Sequence, residues 1–195
     1  MADAHATEAL VLAGGQSRRM RTHALPAIDK GLMYRHGQPQ IYHVCNYLRI
    51  QGLDRVWISS NRHAQDYALY GQVVADDPEF QDCGPLAGVL AGLRNMQGQW
   101  LFVLPVDVVH WPDHMLASLM AAVTPSQPAY ARTPDGPHPL CLVLHRSLQD
   151  ALAVYLRSGQ CRVQAWLRVC NGQAVDFPDA DCLRNLNTPE DWIQT

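Results

Sequence analysis

Residues 8–30, EALVLAGGQSRRMRTHALPAIDK, constrain this chain more than any other stretch. Ala9-Leu10-Val11-Leu12-Ala13 is an unbroken apolar run stopped by Gly14-Gly15. A short run with no polar alternation reads as a strand buried on both faces, and such strands belong to parallel sheets covered by helices. The paired glycines free the backbone to turn sharply and to approach a ligand closely. Ser17, Arg18, Arg19 and, further on, Lys30 follow. Backbone N–H groups after a strand, together with three cations, make a place for a polyphosphate. The stretch is not a Walker A loop, because no Gly-Lys-Ser/Thr stands at the required spacing. It is not Gly-x-Gly-x-x-Gly either.

Beyond it, strand and helix patterns alternate. Ile41, Val44, Cys45 and Leu48 recur at helical spacing, with Pro39 expected at the first helical position and Gly52 at the end. Arg55–Ser60 reads as the second major strand, Ala64–Leu69 as a short helix, and Val73–Ala75 as a third strand. In Gly84-Pro85-Leu86-Ala87-Gly88 the proline starts a helix that buries Leu86, Val89, Leu90 and Leu93, with Gly88 and Gly92 allowing close packing. Trp100–Leu104 is the most apolar strand and is expected at the centre, running into Pro105-Val106-Asp107. A helix is expected over Asp113–Val123, started by Pro112. Strands follow at Ala129–Thr133 and Leu140–His145, then a helix capped by Ser147, a helix burying Val163, Trp166, Leu167 and Cys170, and a strand over Gly172–Phe177. There is no linker and no repeat, so residues 1–195 are expected to form a single α/β domain: three layers, Rossmann-like, with a mostly parallel sheet.

Composition narrows the function. Net charge is −3 with no basic run, which argues against a nucleic-acid surface. No apolar run is long enough to span a bilayer, and the N-terminus lacks the regions of a signal peptide. The six cysteines include no C-x-x-C pair and read as reduced thiols of a cytoplasmic protein. His110 and His114 are four apart, but a helix starting at Pro112 leaves His110 outside it, so a zinc pair is disfavoured.

Residues 12–31 resemble a nucleotidyltransferase signature, L-A-G-G-x-S-x-R-M-G continuing to D-K. Here it reads Leu12-Ala13-Gly14-Gly15-Gln16-Ser17-Arg18-Arg19-Met20, then Asp29-Lys30-Gly31. The resemblance is nearest to the molybdenum cofactor guanylyltransferases, the MobA family, and further matches run along nearly the whole chain. Gly84–Gly88 is similar to G-P-L-A-G, Leu104–Pro112 to the family's strand–P-x-D–x-x-x-x-P context, and Asn185–Asp191 to N-x-N-T-P-E-[DE]. Two features depart from the pattern. Arg21 replaces the glycine after the methionine, and the spacer Arg21–Ile28 is several residues longer than usual. A loop of that composition beside a phosphate site is expected to act as a lid.

The resemblance implies a nucleotidyltransferase fold and an activity: GTP plus molybdopterin cofactor gives the guanine dinucleotide form and pyrophosphate, with Mg²⁺. Leu12, Ala13, Gly14 and Gly15 would meet guanine and ribose through the backbone. Lys30, with Arg18 or Arg19, would stabilise charge on the leaving oxygens, and Asp107 would hold the metal. Ser59, often asparagine in the family, and Asp77 would face the nucleoside, although Asp76-Asp77-Pro78 is also an ordinary polar turn. His138, Arg162, Asn185 and Asn187 would serve the pterin at the opposite end of the cleft. The resemblance also leaves room for transient contact with molybdoenzymes or their chaperones. Two other readings stay open. One is a molybdopterin cytidylyltransferase or sugar-nucleotide enzyme, although cytidylyl relatives carry alanine at the position of Gly14. The other is a nucleotide-binding cofactor carrier without turnover, which Arg21 and the long spacer keep in play.

Overall fold

The computed structural model describes residues 6–14, 29–186 and 191–192. In chain order the elements are β1 (Thr7–Leu12), β2 (Tyr34–Arg35), β3 (Gln38–Pro39), α1 (Gln40–Ile50), β4 (Val56–Ser59), α2 (Ala64–Tyr67) and β5 (Gln72–Val74). Then come α3 (Pro85–Asn95), β6 (Trp100–Pro105), β7 (Val108–Val109), α4 (Met115–Ala122), β8 (Ala129–Thr133) and β9 (Gly136–His145). The last are α5 (Gln149–Arg157), α6 (Val163–Val169), β10 (Gln173–Asp176) and β11 (Arg184–Asn185). Gly15, Arg18, Arg19, the expected lid Arg21–Ile28, Asn187 and the Thr188-Pro189 cap lie outside the described residues.

Seven strands form one sheet in the order β10-β8-β9-β6-β1-β4-β5. Only β9 runs against the others, so the expected mostly parallel sheet is what forms. Alternate residues of its central strands face opposite helical layers. Ala9, Val11, Phe102, Leu104 and Val143 pack with Ile41, Val44 and Leu48 of α1, Tyr67 of α2 and Leu119 of α4. Leu10, Leu12, Leu101, Val103 and Leu142 pack with Leu86, Val89, Leu90 and Leu93 of α3, Leu152 and Leu156 of α5, and Trp166 of α6. Both faces are covered by helices, which is why Ala9–Leu12 of β1 and Leu101–Leu104 of β6 are continuously apolar in sequence. No helix among the described residues is long and apolar enough to cross a membrane. All six cysteines are free thiols.

Several element ends differ from the sequence expectation, each for a local reason. Pro39 is the cap before α1 and a partner of Tyr34 in a small hairpin, so the helix starts one residue later. Lys30–Leu32 forms a 3₁₀ turn. Pro112 opens a turn only, in which its carbonyl accepts from the Met115 N–H at 3.0 Å; α4 begins at Met115. His114 is thereby the helix cap, and neither histidine lies in a helix. Ser147 does not cap α5. The His145 side chain accepts from the Ser147 N–H and caps a 3₁₀ turn leading into the helix, while the Ser147 hydroxyl donates to the Pro125 carbonyl at 2.5 Å. Val163 and Cys170 are half-buried, whereas Trp166 and Leu167 are buried as expected.

Candidate active site at the carboxyl edge of the sheet

The ends of β1, β4, β5 and β6 are level. Leu12 stands opposite Ser59 on one side and Pro105 on the other, and Ser59 stands opposite Val74. The chain moves outward from β1 to β4 and β5, then crosses back to β6 on the other side of β1. That reversal opens a crevice outside the carboxyl ends of β1 and β6, where ligands bind in open α/β sheets. Three hydrogen bonds fix its floor. The Ser59 carbonyl accepts from the N–H groups of both Ala13 and Gly14, at 3.0 and 2.9 Å, and Leu12 accepts from Val106 at 3.0 Å. The N–H groups of Ala13 and Gly14 are therefore taken. Phosphate-facing N–H donors expected of this loop lie beyond Gly14, outside the described residues.

Gly84–Gly88 builds the neighbouring wall. Gly84 has φ +63° and ψ −150°, a conformation open to glycine and little else, and it releases α3 with Pro85 in its first turn. A Cβ on Gly88 would lie 2.3 Å from Ser59 Oγ and 3.0 Å from Leu12 Cδ2. The glycine thus lets α3 sit directly against the strand ends, and Ser59 is buried by that packing. A Cβ on Gly92 would be 2.8 Å from Leu10 Cδ2, so the expectation of close approach holds at both glycines.

Across the crevice, Lys30 meets Asp107. Lys30 Nζ donates to Asp107 Oδ2 at 3.0 Å and to the Leu186 carbonyl at 2.7 Å, and the two side chains are 17% and 23% exposed. The loop carrying Asp107 is held from two sides. Its carbonyl accepts from the Leu186 N–H at 2.7 Å, and Val108 pairs with Asn185 where β7 meets β11. Three distant stretches of sequence, 29–32, 105–109 and 184–186, converge on one ion pair. Among the described residues no three His, Cys, Asp or Glu side chains gather to cage a metal on their own. One carboxylate beside a cation is a donor set that suits Mg²⁺ shared with substrate phosphates.

The MobA-like NTP transferase domain matches residues 9–175. The chain belongs to that family. It is 33% identical over 186 residues to a protein of Shewanella frigidimarina named molybdenum cofactor guanylyltransferase, covering 94% of this chain and 92% of the relative. A protein of the same name from Pasteurella multocida is 36% identical over 190 residues, covering 96% and 97%. A solved structure from Aquifex aeolicus superposes with a TM-score of 0.75 at 23% identity, covering 93% of each chain, and so shares the fold.

The other described residues expected from the family pattern lie toward the same edge of the sheet. Asp77, beyond β5, caps a 3₁₀ turn by accepting from the Glu79 N–H and pairs with Arg94 at 2.6 Å. The Glu79 N–H, helped by the Arg94 guanidinium, holds its carboxyl below the usual range. His138 lies in the part of β9 that continues past its last pairing with β6, Val103 to Leu142. Its Nε2 is 3.0 Å from Thr133 Oγ1, and burial lowers its pKa, which leaves it neutral at pH 7. Arg162 caps α6 and is exposed. The chain leading to it is tied to the turn after β5 by the pair between Arg157 and Glu79. The same stretch meets Cys83 through Cys161, and burial with that neighbour pushes the Cys83 thiol up to about 11. Asn185 departs from its expected place at the opposite end of the cleft. Its strand pairs beside Asp107, and its neighbour Leu186 accepts from Lys30, because β11 folds back onto β7.

Sequence reasoning missed the Leu186 carbonyl, Arg94 and the contact between Asn61 and Asp76. The Leu186 carbonyl leaves no sequence signal, since any residue supplies one. Arg94 sits one helical turn past Leu90 and reads as a surface residue, yet it fixes Asp77. Asn61 and Asp76 clasp the ends of β4 and β5 through reciprocal bonds of 2.8 and 2.9 Å. Both were visible as polar residues after strands, but only the register shows them facing each other.

Proposed function

We propose that this chain transfers the guanylyl group of GTP to molybdopterin cofactor, forming molybdopterin guanine dinucleotide and releasing pyrophosphate. One observation carries the reading: Lys30 and Asp107 form an ion pair in the β1–β6 crevice of a MobA-like NTP transferase fold. The names of its relatives support the choice of substrates. Gly14 favours guanine, since cytidylyl relatives carry alanine there.

Without ligand, the lysine and the carboxylate neutralise each other. With the triphosphate bound, Lys30 would exchange Asp107 and the Leu186 carbonyl for phosphate oxygens, and the freed Asp107 carboxylate would be the residue to hold Mg²⁺. The metal, when bound, supplies charge neutralisation across the phosphates. A terminal phosphate oxygen of the pterin attacks the α-phosphorus; the bond to the bridging oxygen breaks, and pyrophosphate leaves in line. Such transfer depends on positioning and on stabilising charge at the leaving oxygens, for which Lys30 is placed. Base and ribose would lie against the backbone at Leu12–Gly14, where the strand ends. Asn185, whose strand pairs beside Asp107, would meet the phosphate end of the pterin. Arg162 and His138 extend the same edge for the pterin ring. The free thiols accord with a reducing, cytoplasmic setting. Transient contact with molybdoenzymes or their chaperones would then pass the product on.

The test is mass detection of the product formed from GTP, CTP and ATP separately, with Mg²⁺ and molybdopterin. The guanine dinucleotide form from GTP alone is expected. Equal product from CTP would move the assignment to a cytidylyltransferase, and no product from any nucleotide would leave a carrier.

A further inference from the structure

The tripeptide Asp29-Lys30-Gly31 contains one residue read as chemical, Lys30, flanked by two without a stated role. The structure gives both a role, and it brings in a residue far along the chain. Asp29 is a buried carboxylate, 6% exposed. A buried charge of this kind is stable only when hydrogen-bonded. Its Oδ1 accepts from the Gly31 N–H at 3.1 Å, capping the 3₁₀ turn that carries Lys30. The same oxygen accepts a short hydrogen bond from the hydroxyl of Tyr67 on α2. Tyr67 is completely buried in the core cluster of β1 and α1. Burial, and then the hydrogen bond to Asp29, raise its pKa, so it remains a donor at every working pH. Gly31 is the clearance for this contact. A Cβ there would lie 2.3 Å from Tyr67 Oη and 3.0 to 3.1 Å from two ring carbons.

Resting on the assignment of Lys30 to the phosphates, we propose that Tyr67 is a positioning residue for that lysine, acting through the buried Asp29 carboxylate. The tyrosine is rigid in the core, the aspartate is rigid on the tyrosine, and the turn that starts at Asp29 points Lys30 at Asp107. The lysine's backbone is thereby fixed from within the described core, on the C-terminal side of the long spacer. Spacer length can then vary without moving the lysine. Asp29 caps, Lys30 binds, and Gly31 makes room for the tyrosine.

The test is a double-mutant cycle of Tyr67→Phe and Lys30→Ala, read as Mg·GTP affinity by calorimetry and as kcat for transfer. Tyr67→Phe keeps the ring and removes only the hydroxyl. It should weaken Mg·GTP binding and lower kcat by about tenfold each, the size expected when a hydrogen bond to a charged group is lost. In the Lys30→Ala background the same change should alter affinity by less than about twofold, because the residue it positions is gone. Tyr47→Phe is the control. It removes the hydroxyl bond of another buried tyrosine, to the Pro112 carbonyl at 2.8 Å, and should lower Tm while leaving affinity and kcat unchanged. Gly31→Ala, which drives a methyl group into Tyr67, is the second variant and should reproduce the loss. Equal effects of Tyr67→Phe in both backgrounds, wild-type affinity for Tyr67→Phe, or a matching loss in Tyr47→Phe would each overturn the proposal. A Lys30→Ala protein that binds and turns over like wild type would instead overturn the assignment of Lys30, and the proposal with it. Mg·GTP binding without product would overturn the transferase reading, while the affinity cycle would still decide the role of Tyr67.

Discussion

Replacing Asp107 by asparagine separates the chemistry of the site from its contribution to stability. At 3.0 Å and an effective dielectric of about 20, Lys30 and Asp107 attract by about 5.5 kcal/mol. Both side chains are more than three-quarters covered, and removing two charges from water costs several kcal/mol, so most of that attraction is offset. Asparagine also retains an oxygen that can accept from Lys30, and the Leu186 carbonyl still accepts at 2.7 Å. Those retained acceptors should hold the net loss of stability to about 1–3 kcal/mol, below the cost of leaving a buried lysine wholly unpaired, or about 2–12 °C in Tm for a chain of this size. Transfer should fall far more. The carboxylate proposed to hold the metal is lost, and a loss of about 10³-fold corresponds to about 4 kcal/mol of transition-state stabilisation. Thermal unfolding and pyrophosphate release over a range of Mg²⁺ concentrations measure the two quantities side by side. Turnover within tenfold of wild type at saturating Mg²⁺ would refute the role of Asp107. A fall in Tm large enough to account for the lost activity would refute the separation.

Three further outcomes follow from the geometry. Gly88→Ala gains about 1 kcal/mol of helix propensity but forces a methyl group to 2.3 Å from Ser59 Oγ; a net loss of about 1–2 kcal/mol and weaker GTP binding are expected in denaturation and calorimetry, partly recovered by adding Ser59→Ala. Gly14→Ala meets only ordinary contacts, 3.7 Å to the Ser59 carbonyl and 3.9 Å to Ser60 Cα, so unfolding should be unchanged while the preference for GTP over CTP shrinks by about tenfold in competition binding. Burial of Glu8 opposes ionisation, but hydrogen bonds from Trp57, Gly98, Gln97 and Arg55 outweigh it and hold the carboxyl below its ordinary range. With a depressed folded-state pKa, its stabilisation is complete above the ordinary value of 4.5 and is lost as pH falls through the folded value; Glu8→Gln should cost about 2 kcal/mol at pH 7 and flatten the acid limb of the stability profile.

The sheet was legible in the sequence because burial on both faces leaves a plain mark: Ala9–Leu12 of β1 and Leu101–Leu104 of β6 are apolar without a break, and each runs into glycine or an acid at the crevice. Helices α1 and α3 were legible through spacing and through Pro85 and Gly52. Element starts at Pro39, Pro112 and Ser147 were not, because proline and serine favour turns as readily as helix starts, and the choice falls to tertiary partners such as the Pro125 carbonyl and the His145 ring. Lys30 and Asp107 stood out by type and by place after strands, but their contact did not, since 77 residues separate them. Asn185 shows the limit most clearly. Distance along the chain put it at the far end of the cleft, yet two backbone pairings at β7 and β11 return it to Asp107. Tyr67 carried no signal at all, because a single helical turn with one aromatic residue has no period to read.

Crystallography with Mn²⁺ in place of Mg²⁺ and bound GTP, using anomalous scattering to locate the metal, tests the central claim most directly. The account predicts one manganese ion bound between Asp107 and the phosphates, with Lys30 released from Asp107 and bonded to phosphate oxygens. Manganese elsewhere, or the Lys30–Asp107 pair intact with GTP in place, would contradict it.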